Sequence, residues 1–238
     1  MLLYGRSGLH KTGSVYKALG PLALWLACER NAIAPAVLPY LNEEWRSLGR
    51  SPIPDHEYCL SVDDPIGEAN HAIDRHLAQI RGGAYRAVVL DTATTLAQRT
   101  LQKVHRDGVR DEYGKAAAKV NEELLKLVHR LLTMNLIVIA ICHERSPTTI
   151  EGKFTMGGPE LYGKGVSLLP AQFDVVLHCR NEMSVQGAQV VGVSNELDPM
   201  WICKDRWGAT GAEKKCNLDE LRRVLQESLQ LAKQYNGA

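Results

Sequence analysis

The chain has almost no surplus of charge: 28 Lys and Arg stand against 27 Asp and Glu in 238 residues, a formal net charge of +1. That balance excludes a whole-molecule field drawing the protein onto nucleic acid or an acidic membrane, and leaves only a local basic groove. No Cys-x-x-Cys pair occurs either. The six cysteines are scattered at 28, 59, 142, 179, 203 and 216, which excludes an ordinary zinc ribbon and reads as reduced, mostly buried thiols of a cytosolic protein. Long hydrophobic runs are missing too. The N-terminal run at 22–28 is too short to span a bilayer, and the glycine-rich basic stretch before it is not a signal-peptide layout. Twenty glycines and 10 prolines are too few for a low-complexity chain. What remains, 45% apolar and 23% charged, is ordinary globular composition, so a soluble intracellular protein with no membrane partner is expected.

Apolar runs alternate with helical periods along most of the length. Residues 1–4 read as a brief strand, followed by a glycine-rich turn and a helical stretch from Lys11 to about Arg30. Ile66, Ala69, Ile73, Leu77 and Ile80 place one stripe on a helix over 65–81. Ala84–Asp91 reads as a buried strand, 116–134 as a strong helix and 136–142 as the most strand-like run of the chain. Two later strands are expected at 172–179 and 199–204, with a closing helix at 217–235 opened by an Asn217/Glu220 capping box. Strand–helix alternation predicts an α/β fold with a mostly parallel central sheet flanked by helices. One domain is expected: a nucleotide-binding core over 1–210, with 144–170 as a mobile loop, and a C-terminal helix over 211–238 packed on it.

The first informative motif is Gly5-Arg6-Ser7-Gly8-Leu9-His10-Lys11-Thr12, running into Gly13. It follows a strand and opens a helix, where a phosphate-binding loop belongs. Glycines let the backbone curl so that N–H groups converge on phosphate oxygens, and the helix N-terminus adds its positive end. Lys11 is placed to reach β- and γ-phosphates and Thr12 to hold Mg²⁺. His10 departs from the pattern, standing where a glycine normally precedes the lysine. The alternative is a glycine-rich turn with a chance Lys-Thr. A phosphate loop also needs an acid at the end of a neighbouring strand, and Val88-Val89-Leu90-Asp91-Thr92 supplies Asp91 as a second metal-side group; the alternative is an aspartate that only marks a turn.

The order GRSGLHKT, VVLDTATTL, a long helix, LIVIAICHE, GPELYGKGVSLLPAQFDVVLHC and ICKDR resembles the RecA-like P-loop ATPase core. It is most similar to small AAA-type ATP-binding proteins of phage, some of which act in single-strand annealing and recombination. The resemblance covers about residues 1–207 and implies ATP and Mg²⁺ as ligands and single-stranded DNA as a partner. It further implies a homo-oligomer or a partner recombination protein, in the cytoplasm of a bacterial host. Such sites use a glutamate after the second strand to polarise the attacking water. If residues 36–40 are that strand, Glu43 is the first candidate and Glu44 the second, against a solvated acidic pair. His143, ending the LIVIAIC strand, matches the polar γ-phosphate sensor; the alternative is a solvent-facing histidine. In the glycine-rich 144–170 segment, Phe154 and Tyr162 would stack on bases while Arg145, Lys153 and Lys164 meet phosphates. A plain surface loop is the alternative. Lys204 and Arg206 match basic groups that reach a neighbouring subunit's γ-phosphate; the alternative is a charged strand-to-loop exit. Two further readings stay open: a nucleotide-binding switch with a degenerate loop and slow hydrolysis because of His10, and a small-molecule kinase.

Overall fold

Strand β1 (Leu2–Gly5) has no exposed residue, and its alternation splits it between two apolar layers: Leu2 and Tyr4 face one, Leu3 the other. A strand buried on both faces must lie inside a sheet. In the computed structural model β1 is paired in parallel on both sides, to β5 (Ile137–Cys142) and to β10 (Val175–Ser184). The structure describes residues 1–29, 56–110, 112–184, 187–193, 199–206, 208, 210, 215–217 and 221–226. Parallel pairing continues from β5 to β4 (Ala87–Asp91), to β2 (Ala23–Ala27) and to the edge strand β3 (His56–Tyr58). Beyond β10 the sheet turns antiparallel through β11 (Gly187–Val193) and β13 (Lys215–Asn217). Among the described residues no helix is long and apolar enough to cross a membrane.

Helices cover both faces. Helix α1 (Lys11–Leu19) lays Val15, Tyr16 and Leu19 on the layer containing Leu3, Trp25 and Val89, together with Leu221, Val224 and Leu225 of the helical residues 221–226. The other face takes α2 (Pro65–Arg75), α4 (Ala93–Arg106), α5 (Lys115–Leu132) and α6 (Gly165–Ala171); a short α3 (Leu77–Arg81) follows α2. Helix starts obey local chemistry. Asp64 accepts from Gly67 N at 3.1 Å ahead of Pro65, and Thr92 accepts from Thr95 N at 3.2 Å. The mostly parallel, doubly covered sheet is the architecture the sequence implies.

Several boundaries differ. The helix expected over residues 11–30 stops at Leu19, because Gly20 takes φ 51° and Pro21 cannot continue an α-helix, so 23–27 becomes β2. Residues 36–40, read as the second strand, lie outside the described residues. Segment 144–170 is built of regular elements rather than loop. Short strands β6 (Glu144–Arg145) and β9 (Gly158–Pro159) pair, a hairpin forms from β7 (Thr148–Ile150) and β8 (Lys153–Thr155), and α6 follows. In the stretch read as the 199–204 strand, only Lys204 joins the sheet, in the short β12 (Lys204–Asp205) antiparallel to β10. Asn217 ends β13, so it does not cap the closing helix.

Candidate nucleotide site

In an open α/β sheet, ligands bind at the carboxyl ends of the strands where the strand order reverses. The chain leaves β1 and returns two strands beyond its neighbour β5, so that point is the end of β1, and Gly5–His10 occupies it. Gly5 must be glycine: a Cβ there would stand 2.4 Å from the Cys179 carbonyl oxygen. Gly8 turns with φ 82°. His10 adopts φ 51° and ψ 25°, the left-handed conformation a glycine would take, with its side chain exposed; the loop therefore keeps its curl. Leu9 folds inward while Arg6 and Ser7 stay on the surface, and Gly13 is buried in the first turn of α1. Lys11 is 6% exposed, its Nζ donating to Gly5 O and Arg6 O at 2.8 Å each. Burial lowers its pKa, opposed by the nearby acids.

Thr12 donates its hydroxyl to Asp91 Oδ2 at 2.9 Å. Asp91 is 2% exposed, and desolvation pushes its pKa up to about 6, against the Thr12 bond. A hydroxyl and a carboxylate converging on a cavity floor are hard oxygen donors, the kind Mg²⁺ takes beside phosphate oxygens and water, so this pair fits the ion. The cavity above has a volume of about 280 Å³ and is lined by loop residues 7–12 with Glu29, Asp91, Thr92, Ile141 and His143.

Glu29 follows β2 by two residues and was not anticipated. Its Oε1 accepts from Thr95 Oγ1 at 2.7 Å, from Thr92 Oγ1 at 3.0 Å and from His143 Nε2 at 3.4 Å. The His143 bond first, then those of the threonines, hold its pKa down to about 2. Oε2 has no hydrogen-bond partner among the described residues and remains open to a water. With Nε2 donating, His143 Nδ1 is the acceptor for Ser7 Oγ at 3.4 Å, so one imidazole spans the phosphate loop and the glutamate. Glu43 and Glu44 lie outside the described residues; Glu29 occupies the position after the second strand that Glu43 was chosen for. The signal was present: Gly20-Pro21 ends the helix, and the apolar run after it finishes in Glu29 as VVL finishes in Asp91.

Lys204 and Arg206 are not brought to this cavity. β12 pairs with Val175 and Val176, level with Leu2, roughly 10 Å along the strand from Gly5. There Lys204 Nζ donates to Ala171 O at 3.2 Å and Arg206 pairs with Asp174 at 2.7 Å.

Two consequences are measurable. A non-glycine residue in the left-handed region costs roughly 1 kcal/mol, partly offset by glycine's greater freedom when unfolded. His10→Gly should therefore stabilise the empty protein by about 0.5–1 kcal/mol in urea unfolding; a loss of stability would assign the imidazole a contact of its own. For Asp91, a folded pKa above the ordinary 3.8 means that the folded state holds the proton more tightly, so stability is lost as pH rises from 3.8 through about 6. Asp91→Asn should stabilise the empty protein by about 1–3 kcal/mol at neutral pH, with the gain vanishing on acidification towards 3.8. A pH-independent difference would contradict the burial account.

No curated protein matches the chain. Among solved structures, a KaiC-like protein from the hyperthermophilic archaeon Pyrococcus horikoshii OT3 is 16% identical over 81% of this chain and 76% of that one, with a TM-score of 0.44. The AAA domain family AAA_24 matches residues 1–207, a span that holds the phosphate loop, Glu29, Asp91 and His143. The chain belongs to this AAA domain family of P-loop nucleotide-binding proteins.

Proposed function

We propose that the protein is a Mg²⁺-dependent ATPase acting on single-stranded DNA in phage recombination or annealing, inside a bacterial host cell. The observation that carries the ATPase is the convergence of Lys11, Thr12, Asp91, Glu29 and His143 on one cavity. Loop amides and Lys11 bind the phosphates, Lys11 leaving the carbonyls of Gly5 and Arg6 to do so. Thr12 and Asp91 would hold Mg²⁺, which would supply positive charge to offset that of the phosphates. Glu29, ionised and fixed through Oε1, orients the attacking water with Oε2, and His143 keeps it there. With a pKa of about 2, Glu29 acts mainly as a positioner of water rather than as a strong base. A switch without turnover is the weaker reading, because His10 leaves the loop curled and a water-facing glutamate is in place.

Binding tests separate the roles. Lys11→Ala should abolish ATP binding, measured by calorimetry, and retained affinity would remove the basis of the assignment. Glu29→Gln should bind ATP normally while its turnover falls by roughly 10²–10⁴; near-normal hydrolysis in that variant would return the role to another acid.

For DNA, the β7–β8 hairpin is the favoured surface. Phe154 is 51% exposed beside the exposed Lys153, offering a base-stacking ring and a phosphate-seeking cation, whereas Tyr162 packs against the core. With net charge near zero, affinity should be modest and fall with salt. Phe154→Ala should weaken binding of a fluorescent oligothymidylate by about 1–3 kcal/mol; unchanged affinity would move DNA elsewhere. An oligomer that used Lys204 and Arg206 in trans would have to free them from Ala171 O and Asp174.

A further inference from the structure

Glu144 is not part of the phosphate cavity, yet its side chain is only 9% exposed. A carboxylate taken that far from water needs a partner for each oxygen. Oε1 accepts from Arg6 Nε at 3.0 Å, and Oε2 meets His178 Nε2 at 3.1 Å. The two partners are unlike. Arg6 lies on the phosphate loop with its side chain 80% exposed, while that of His178 is 5% exposed. His178 stacks on Trp201 with ring centroids 3.7 Å apart and planes at 17°. Trp201 in turn lies against Gly157, where a Cβ would come within 2.4 Å of Cε3. Gly157 N donates to Met200 O and Ile202 N donates to Gly157 O, each at 2.9 Å, and β6 pairs with β9 beside them. A contiguous chain thus runs from the phosphate loop to the small sheets without entering the catalytic cavity.

We propose that Arg6, Glu144, His178 and Trp201 form a latch that reports occupancy of the phosphate loop to the small sheets of residues 144–159. The latch rests on the nucleotide-site reading above and adds regulation to it. Arg6 uses Nε on Glu144, and its terminal nitrogens have no hydrogen-bond partner among the described residues. A bound triphosphate places several negative charges beside that guanidinium, and paired N–H bonds to phosphate are stronger than one bond to a carboxylate. The phosphates draw Arg6 off Glu144. Glu144 then depends on His178 alone, the imidazole follows it, and the stacked indole moves against Gly157. The two states differ in their contacts with the ligand, as any ligand-driven shift requires.

The test is a titration of tryptophan emission with a non-hydrolysable ATP analogue, with affinity measured independently by calorimetry on each full-length chain. The wild type should show an emission change that disappears in Trp201→Phe. In Glu144→Gln the change should fall by at least about fivefold while affinity stays within about threefold of wild type. Arg6→Gln alters an exposed side chain and should fold normally; it too should lose the change, with weaker binding. A wild-type chain that binds without an emission change, or either variant keeping the full change, overturns the latch alone. A wild-type chain that binds no nucleotide overturns the latch and the nucleotide-site reading together.

Discussion

The bond from Thr12 to Asp91 is the constraint on which the site depends, because it ties the start of α1 to the end of β4 across 79 residues of sequence. It also exposes a cost. Asp91 is 2% exposed, receives one side-chain hydrogen bond, and its pKa rises to about 6. A chain selected for stability alone would not keep a carboxylate there. Glu29 lies in the same cavity and shifts the opposite way, to about 2, under three donors. Two acids with pKa values pushed apart by their surroundings can hold different tasks. In the proposed site a bound cation would offset the desolvation of Asp91, which the Thr12 bond and the nearby Lys11 counter only in part. Glu29 is already satisfied on one oxygen and can turn the other to water.

Strand order makes this possible. β1, β5, β4 and β2 are parallel neighbours in register, so Gly5, Cys142, Asp91 and Ala27 end near one level of the sheet. Each strand then hands one polar residue to that level, at or just past its end: the loop itself, His143, Asp91 and Glu29. The apolar alternation that buries both faces also orients these residues, since a slip of one position in any strand would turn its terminal side chain to the other face. Packing and chemistry share one register.

Much of this was legible from residues. Glycine spacing, the Lys-Thr pair and VVLD located the phosphate loop and the buried acid, because a local turn and an apolar run ending in a charge are short-range signals. Glu29 is not, since the apolar spacing of α1 continues through Gly20-Pro21 into residues 22–28 and masks the start of β2. The 144–170 segment misled for another reason. Its strands are two or three residues long, too short for alternation to register, and its order comes in part from contacts with Met200 and Trp201, far away in sequence. Lys204 and Arg206 carry no local sign that β12 runs antiparallel beside Val175 and Val176, at the start of β10 and away from the phosphate loop.

The pairing of neighbouring residues across the loop gives the site two separable outputs. Arg6 reaches Glu144 while Ser7 reaches His143, adjacent residues meeting adjacent residues. Successive side chains of an extended chain face opposite ways, so His143 and Glu144 lead in different directions, one to Glu29 and the other to His178. The backbone between them is fixed on both sides: His143 N donates to Thr94 Oγ1 at 3.0 Å, and its carbonyl accepts from Glu160 N at 2.8 Å. With the peptide held, the contacts lead from Ser7 through His143 to the Glu29 carboxylate, and from Arg6 through Glu144 to the aromatic stack. In the proposed ATPase, hydrolysis and its report to the small sheets would therefore share a ligand but not a side chain, since the two branches have no side-chain contact in common.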